Sequence, residues 1–488
     1  MYYLMNKDVV AAKIHKGQDG WYLAHPQAAL PAGKFEINDW LEDRKAYKHN
    51  HHLKRLMVDC GCDTVEGFLR ITHAASINDS YWVKKEGEEI SWEDISFYRN
   101  EFNGVVSRLA FEGLGLYGMQ MSSTSPELTT DGSFRKCWRR EKGEIYLYKR
   151  GMSGAGNVGL EPYCEALASE LIQQADPGSV AYSVVRLHKE TATKCRAFTD
   201  ETIGFVPLRR LISRSISLDG LLRYFEGLGC REAFQRMLVL DAVIFNVDRH
   251  LGNIGVLVEN DSQEILGIAP NFDFNLSMLP YVTKEEFQDI GTKLLDYGPQ
   301  MGRDFLQVGQ EMLTPEIRRE LIGLQGFEFS FRGNQEFEPW RVKAMEEMVH
   351  QQIQAILRGG GLQTKDVFVP QAENAFAQPA EGGQEAPFDN GQELLAAELL
   401  AGRLREVEGV SAVMEEIAED SHVSLLVTIP EGGDYMELAI RMDSLEIGCS
   451  KNGSSVPAGQ ICAGNARFAE VYQVICQIVD GINIDTIL

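Results

Sequence analysis

The feature of this sequence that most constrains its fold is a run of acids and amides set between apolar segments, over residues 246–275. An apolar segment of helical length, residues 237–245, comes before it, and two short apolar runs, IGVLV and ILGIA, flank the polar turn VENDSQE within it. This pattern predicts a buried helix followed by two short strands joined by a turn. The polar side chains then fall at the loop ends of a buried scaffold, and they are Asp248, Arg249, His250, Asn253, Asp273 and Asn275.

The order of these side chains suits phosphoryl transfer. A loop aspartate can accept the proton of an attacking hydroxyl, an asparagine a few residues later offers a neutral oxygen to Mg²⁺, and a second aspartate after a hairpin bridges the metal to the phosphates. Asp248, Asn253 and Asp273 follow that order. The competing interpretation is a helix end capped by Asn246 and Asp248 and followed by solvated turns.

The same segment resembles the catalytic core of HipA-like serine/threonine kinases, in which N-x-D-x-H-x-x-N is followed by a short hairpin and A-P-x-Y/F-D. The matching residues are Asn246, Asp248, His250, Asn253, Ala269, Pro270, Phe272 and Asp273. The resemblance implies that Asp248 is the catalytic base and that Asn253 and Asp273 hold Mg²⁺. It also implies that Arg249 and His250 belong to the catalytic loop and shape it.

Phosphatidylinositol 3- and 4-kinases carry a similar D-R-H-x-x-N, which residues 248–253 also match. Those lipid kinases usually continue with D-F-G, whereas this chain has Asp273, Phe274 and Asn275. The different tail and the lack of a basic membrane face count against transfer to lipid.

A kinase also needs a strand lysine on the nucleotide phosphates and a helix glutamate that fixes its rotamer. Lys149 closes the alternating strand EIYLYK, and the amphipathic helix PYCEALASELIQQ carries Glu165. By resemblance to HipA-like kinases these two residues form the pair. Glu170 and Glu161 are the competing partners of Lys149.

The turn before that strand is the candidate phosphate loop, because its backbone N–H groups and a nearby basic side chain can meet phosphate oxygens. Its residues are Thr130, Asp131, Gly132, Ser133 and Lys136. A plain type I′ hairpin at residues 131–132 explains the turn as well. The later strand CRAFTDE leads into a hinge, where the backbone of Ala197, Phe198 and Thr199 is expected to meet the adenine.

Composition excludes several classes of protein. The hydrophobic content of 44% and the charged content of 24% are typical of a globular protein, and no apolar run has the length of a membrane span. Acid and base inside the N-terminal segment exclude a secretion signal, so we expect a cytoplasmic protein. The net charge of −24 argues against a nucleic-acid surface. The nine cysteines indicate reduced thiols, and no closed zinc site fits the spacing of His49, His51, His52, Cys60 and Cys62.

We predict an α+β fold with a two-lobed, protein-kinase-like domain between two smaller α+β modules. The N-terminal module spans residues 1–75, the kinase domain 76–365, and the C-terminal module 393–488, after an acidic Gly- and Pro-containing linker at 366–392. The N-lobe is expected to end near residue 200 and the C-lobe to be helical. The aromatic segment 76–104 is predicted to be core packing.

The predicted function is ATP- and Mg²⁺-dependent phosphorylation of a Ser or Thr in a protein. The alternatives are a lipid kinase and a non-catalytic nucleotide-binding scaffold, and the intact set of Lys149, Asp248, Asn253 and Asp273 argues against the scaffold. The resemblance also implies autophosphorylation near the phosphate loop, on Ser122, Ser123, Ser125 or Ser133. It further implies a helix-turn-helix antitoxin, encoded elsewhere, as a partner.

Overall fold

A computed structural model describes residues 1–358, except 19, 46–57, 59–61, 63, 114–124, 131, 133, 153–157, 213–215 and 295–296, and five strands between residues 412 and 455. Contacts divide the chain into two compact units. The first comprises residues 1–152 and 159–371, and the second comprises residues 153–158 and 372–488.

The N-terminal sheet of the first unit has the strand order β3-β2-β1-β4 and is antiparallel throughout. Its strands are β1 Tyr2–Asn6, β2 Val9–Lys16, β3 Trp21–Ala24 and β4 Tyr81–Lys85. Apolar and polar residues alternate over residues 1 to about 35, with glycines at a turn, which predicts a hairpin, and the β2–β3 pair confirms it. Because β4 pairs with β1 along its whole length, this sheet continues past residue 75, where the first module is predicted to end.

Helices and aromatic side chains cover this sheet. The helices are α1 Ile37–Asp43, α2 Val65–Thr72, α3 Trp92–Ile95 and α4 Gly104–Glu112. The aromatic segment is core packing, as predicted, since Tyr81, Trp82, Trp92 and Phe97 are all buried. Of the residues considered for zinc, Cys62 is buried and His49, His51, His52 and Cys60 lie outside the described residues.

A second antiparallel sheet, in the order β5-β6-β8-β7, packs against one long helix. Its strands are β5 Lys136–Glu141, β6 Glu144–Arg150, β7 Tyr182–Leu187 and β8 Glu190–Arg196, and the helix is α5 Glu161–Ala175. The hairpin turn of β5 and β6 lies at residues 142–143, both left-handed. The type I′ hairpin interpretation of residues 131–132 requires a strand just before that turn, and the segment ELTT predicts one. This prediction is wrong, because Pro126–Thr129 is a 3-10 helix.

The segment 246–275 contributes two strands to the third sheet, and the remaining helices lie before and after it in the chain. The strands, in the order β11-β10-β9, are β9 Ile203–Pro207, β10 Gly255–Glu259 and β11 Ile265–Ile268. The helices are α6 Leu218–Gly227, α7 Arg231–Ile244, α8 Ile290–Lys293, α9 Phe305–Glu311, α10 Pro315–Gly323 and α11 Pro339–Arg358. The buried helix α7 and the pair β10–β11 confirm the sequence prediction. Residues 205–245 have the pattern of a run of helices broken by glycines. The run begins instead with the strand β9, because this segment pairs with β10 along its length.

The second unit contains an antiparallel sheet in sequence order. Its strands are β12 Ala412–Ile417, β13 Val423–Glu431, β14 Asp434–Arg441, β15 Ile447–Lys451 and β16 Ser454–Ser455. The alternating segments HVSLLVTIP, YMELAIRMD and SLEIGCSKNG predict strands, and they coincide with β13, β14 and β15. The sequence also predicts a helix at each end of this module, and these two segments and the predicted linker at 366–392 lie outside the described residues.

The described parts of the chain thus form a mixed α and β architecture with several antiparallel sheets. None of the helices described in either unit is both long enough and apolar enough to cross a bilayer.

Candidate active site

The loop that carries Asp248 begins where α7 ends. Phe245 closes the helix in a left-handed conformation, and its N–H donates to the main-chain carbonyl of Asp241. The Asn246 side chain then joins helix to loop, since its Nδ2 donates to Asp241 Oδ1 at 2.9 Å and its Oδ1 accepts the N–H of Asp248 at 3.1 Å. The Asn246 side chain therefore ties the Asp241 side chain of the helix to the start of the loop, whereas the helix itself is capped by Phe245.

Arg249 lies inside the protein rather than at the surface of the loop. Its Nε and Nη2 donate to the two carboxylate oxygens of Asp241, at 2.7 and 3.0 Å. Its Nη1 donates to the carbonyls of Asn253 and Phe272, at 3.1 and 2.7 Å, and Nη2 also donates to Asn271 Oδ1 at 2.7 Å. Arg249 therefore ties the loop to the segment after β11. This placement makes it a positioning residue and not one that touches a substrate.

Asn253 is buried at the far end of the same loop. Its Nδ2 donates to the carbonyl of Asp248 at 2.7 Å, and its Oδ1 accepts the N–H of His250 at 2.8 Å. One lone pair of that amide oxygen is left to meet a cation. His250 is exposed, and its Nδ1 accepts the N–H of Gly252 at 2.9 Å, so it shapes the loop from the solvent side.

Asp273 follows β11 and adopts a left-handed backbone with φ 65°. Its N–H donates to the hydroxyl oxygen of Tyr182 at 3.1 Å. The Tyr182 ring in turn packs edge-on against Phe274, at 5.7 Å between centroids, and lies 5.0 Å from Nζ of Lys149. A left-handed aspartate is held only where its surroundings fix it, and Tyr182 is part of that support.

Lys149 bridges two carboxylates. Its Nζ lies 2.7 Å from Asp273 Oδ1 and also forms an ion pair with Glu165. Glu165 is buried and accepts two further hydrogen bonds, from Thr193 Oγ1 at 2.5 Å and from the N–H of Phe274 at 3.3 Å. The Lys149 ammonium group is therefore held between two carboxylates, Glu165 of α5 and Asp273.

The structure distinguishes among the three glutamates considered for Lys149. Glu165 contacts the lysine, whereas Glu170 accepts the N–H of Ser330 at 2.7 Å and Glu161 accepts the hydroxyl of Tyr281 at 2.8 Å. The glutamate that the resemblance implies is thus the one that the fold brings to Lys149.

Burial and the neighbouring charges have opposite effects on the pKa values of Lys149 and Asp273. Burial by itself would lower the pKa of Lys149, but the carboxylates of Asp273 and Glu165 outweigh it, so the pKa of Lys149 is raised and the ammonium stays charged. Burial by itself would raise the pKa of Asp273, and Lys149 outweighs it and brings that pKa to about 2. Asp273 is therefore a carboxylate throughout the physiological range, as a metal ligand must be.

Asp248 has a different environment. Burial, with the nearby charge of Asp273, raises the pKa of Asp248 to about 7, against the opposing effects of Arg249 and Lys149. Its Oδ1 accepts a hydrogen bond from Gln300 Nε2 at 3.2 Å. A carboxylate with a pKa near neutrality is well matched to accept a proton from a hydroxyl.

Two residues of the predicted phosphate loop, Gly132 and Lys136, lie close together. Lys136 lies directly opposite Lys149 across β5 and β6, and its charge contributes to the low pKa of Asp273. Gly132 has φ 114° and lies so close to Lys136 Nζ that a Cβ would collide with it. Two lysines therefore lie near Asp273, one on each strand of the hairpin.

The other residues predicted to form that loop are Thr130, Asp131 and Ser133. The Thr130 hydroxyl donates to the carbonyl of Pro126 at 2.7 Å and accepts Nε1–H of Trp138 at 2.8 Å, so its side chain supports the fold. Asp131 and Ser133 lie outside the described residues.

The predicted adenine hinge lies beside the same site. The N–H of Ala197 donates to the carbonyl of Ile145 at 2.9 Å, so this N–H extends the sheet and is not available to a base. The ring of Phe198 lies 5.2 Å from the ring of Phe272, next to Asp273 in sequence, and forms an apolar wall. The Thr199 hydroxyl donates to a main-chain carbonyl at 2.7 Å.

One of the serines considered for autophosphorylation is inaccessible. Ser125 is fully buried, and its hydroxyl donates to Glu127, a buried carboxylate that also accepts the N–H of Trp138 at 2.8 Å. Phosphorylation of Ser125 would place a dianion beside this carboxylate, so this serine is not an acceptor in the described conformation. Ser122, Ser123 and Ser133 lie outside the described residues.

Four residues support the site without having been identified in the sequence, and they are Asp241, Tyr182, Thr193 and Gln300. Only Asp241 carries a local signal, because a carboxylate within a buried apolar helix requires a buried partner, which is Arg249 eight residues later. The other three reach the site through tertiary packing.

The donor set fits Mg²⁺ and a nucleotide. Asp273 and Asn253 offer a carboxylate and an amide oxygen, the hard donors that Mg²⁺ prefers. Lys149 and Lys136 provide positive charge for phosphate oxygens. The site therefore brings together side chains suited to binding a metal, two lysines suited to binding phosphate, and in Asp248 a carboxyl group suited to accepting a proton.

Comparison with known proteins gives distant likenesses only. No protein-family model matches the sequence, and no curated protein matches it. Among solved structures, the Helicobacter pylori proinflammatory kinase CtkA shares 15% identity, with a TM-score of 0.36, over 46% of this chain and 91% of that chain. The HipA of a Shewanella oneidensis MR-1 toxin–antitoxin complex with HipB and operator DNA shares 10% identity, with a TM-score of 0.47, over 72% of this chain and 97% of that chain.

Proposed function

We propose that this chain is an ATP- and Mg²⁺-dependent serine/threonine protein kinase of the HipA-like type. The observation that supports it best is the position of Lys149, held between Glu165 and Asp273. In kinases this lysine binds the nucleotide phosphates, the glutamate fixes it, and the aspartate holds the metal. The predicted two-lobed arrangement belongs to this proposal, with the β5–β8 sheet on the nucleotide side and α6–α11 on the helical side.

Nucleotide binding requires one exchange of partners. Lys149 keeps its ion pair with Glu165 and gives up its 2.7 Å contact with Asp273 in favour of phosphate oxygens. The carboxylate of Asp273 is then free to hold Mg²⁺ together with the amide oxygen of Asn253. Lys136, opposite Lys149 on β5, supplies a second positive charge to the phosphates.

In this proposal Asp248 is the proton acceptor. Its carboxylate accepts the proton of the acceptor hydroxyl while the oxygen of that hydroxyl bonds to the γ-phosphorus and the bond from phosphorus to ADP breaks. Asp273 and Asn253 would hold the Mg²⁺, which would supply positive charge to the phosphate oxygens. Arg249 holds Asn253 and the segment before Asp273 together, and thereby keeps the metal ligands at a fixed separation.

Transfer of phosphate to a protein hydroxyl distinguishes this proposal from its two alternatives, a lipid kinase and a non-catalytic scaffold. Transfer to lipid rests on the D-R-H-x-x-N motif alone, and a non-catalytic scaffold would bind nucleotide without turnover. The purified full chain should therefore be incubated with γ-labelled ATP and Mg²⁺ in three parallel reactions: alone, with a cell extract, and with phosphatidylinositol vesicles. We expect label on Ser or Thr of protein. Label on lipid alone, or ATP binding without any transfer, would contradict the proposal.

Two further expectations rest on this proposal. Autophosphorylation is expected on Ser122, Ser123 or Ser133, and peptide mapping after incubation with ATP tests it. The helix-turn-helix antitoxin implied by the resemblance stays a prediction, and co-purification of the tagged chain with proteins from its own host tests it.

A further inference from the structure

The exposed side chain of Gln300 reaches the carboxylate of Asp248. Gln300 Nε2 donates to Asp248 Oδ1 at 3.2 Å and also lies 3.5 Å from the carbonyl of Val247. One amide nitrogen therefore contacts both the candidate base and the main chain of its loop. Gln300 comes from a segment more than fifty positions later, so the fold, and not local sequence, creates this contact.

The segment that carries Gln300 is anchored on both sides. Tyr297 and Met301 pack against the large apolar cluster around α7. Gly302 adopts φ 103°, and it lies so close to Val308 of α9 that any Cβ would overlap that side chain. Gln300 is thus an exposed side chain on a backbone that its neighbours hold in place.

The two carboxylate oxygens of Asp248 differ in their surroundings. Oδ1 accepts the hydrogen bond from Gln300, whereas Oδ2 makes no hydrogen bond to any residue that the structure describes. A carboxylate can rotate about its Cβ–Cγ bond, and a donor on one oxygen restricts that rotation. Oδ2 is then the carboxylate oxygen left to accept a hydrogen bond from a substrate hydroxyl.

We propose that Gln300 is a positioning residue, which holds Oδ1 of Asp248 and thereby presents Oδ2 to the acceptor hydroxyl. This inference rests on the proposed kinase function and adds a residue to it. A hydroxyl on a protein substrate arrives in one orientation and needs the acceptor oxygen in one place, while water reorients freely. Gln300 therefore favours transfer to a protein hydroxyl over hydrolysis of ATP by water.

The experiment compares two activities in the same full-length protein. With γ-labelled ATP and Mg²⁺, label on protein Ser or Thr reports transfer, and release of inorganic phosphate reports hydrolysis. The variants are Gln300→Ala, which removes the donor, and Gln300→Glu, which keeps the shape and replaces the donor by an acceptor. The control is Gln325→Ala, an exposed glutamine whose side chain makes no hydrogen bond to a described residue.

We expect Gln300→Ala to lower the rate of transfer about tenfold, the loss typical of removing one donor to a charged group. The KM for ATP should stay within about twofold of wild type, hydrolysis should fall less than transfer, and Gln300→Glu should lose at least as much transfer as Gln300→Ala. Equal losses in transfer and hydrolysis together with a raised KM would indicate a merely structural role and overturn the inference. Wild-type rates in both variants would also overturn it while leaving the kinase proposal intact, and a wild-type chain that transfers no phosphate would overturn both.

Discussion

Nζ of Lys149 lies 2.7 Å from Oδ1 of Asp273, although the two residues are 124 positions apart in the chain. Lys149 comes from strand β6, and Asp273 follows strand β11 of a different sheet. The contact therefore joins the sheet that would hold the nucleotide to the segment that would hold the metal. It also keeps Asp273 ionised, because the pKa of this carboxyl falls to about 2 against the effect of burial.

Replacing Lys149 tests the role of this bridge. We expect Lys149→Met to lower the rate of phosphate transfer by about a hundredfold or more, because a preorganised cation at the phosphates is lost. Measured transfer of γ-labelled phosphate gives the result. The control is Lys343→Met, which removes a lysine that is 74% exposed on α11 and should leave the rate unchanged. Equal rates in the two variants would contradict the assignment.

Arg249 is expected to act on metal binding rather than on the proton acceptor. Lysine keeps the charge but cannot hold both oxygens of Asp241 and also reach the carbonyls of Asn253 and Phe272. We expect Arg249→Lys to raise the Mg²⁺ concentration for half-maximal rate by about tenfold, a loss typical of outer-shell changes at metal sites. Arg139→Lys, on the exposed side of β5, is the matched control. An unchanged Mg²⁺ dependence in Arg249→Lys would contradict this role.

The rate should depend on the protonation of Asp248. Burial and the charge of Asp273 raise its pKa to about 7, and only the ionised carboxylate can accept a proton. We therefore expect kcat/KM for ATP, measured between pH 5.5 and about 8.5 with ample Mg²⁺, to rise with pH and level off above about 7. A value that falls over this range would exclude Asp248 as the base.

The buried carboxyl group of Glu127 should make the free energy of unfolding depend on pH. Burial raises its pKa, so the folded protein holds this proton to a higher pH than the unfolded chain does. The stabilisation is present at low pH and is lost as the pH rises through the folded pKa. Glu127→Gln keeps the shape and both bonding positions without a charge. Its free energy of unfolding should match that of wild type near pH 5 and exceed it increasingly toward pH 8.

Chemical denaturation at several pH values measures this difference. Glu93→Gln, an exposed acid on α3, is the control and should show no such divergence. A Glu127→Gln variant that is less stable than wild type at high pH would show that the charged carboxylate, and not the neutral form, supports this site.

The sequence identified the parts of the site that lie close together in the chain or follow a fixed chemical order. Lys149 and Glu165 are only sixteen positions apart. Periodicity placed them on a strand and on the helix that follows it, and the resemblance to HipA-like kinases paired them. The order of Asp248, Asn253 and Asp273 comes from the chemistry of phosphate transfer.

The rest could not be predicted because it depends on pairing between distant segments. Tyr182 meets Asp273 across 91 positions, and Gln300 meets Asp248 across 52. The strand β9 is too short to show a clear period beside the Arg-rich segment that follows it, and its pairing with β10 decides its structure. The strand β4 lies beyond residue 75 and joins the N-terminal sheet through a pairing that composition does not show.

The measurement that tests the central claim most directly compares Asp248→Asn with Asp273→Asn. Binding of ATP with and without Mg²⁺ and transfer of labelled phosphate should be measured on both variants and on wild type. If Asp248 is the proton acceptor and Asp273 the metal ligand, Asp248→Asn will bind ATP with Mg²⁺ as wild type does and transfer no phosphate, while Asp273→Asn will lose the part of ATP binding that depends on Mg²⁺. Transfer at the wild-type rate by Asp248→Asn, or Mg²⁺-dependent binding that survives in Asp273→Asn, would contradict the account.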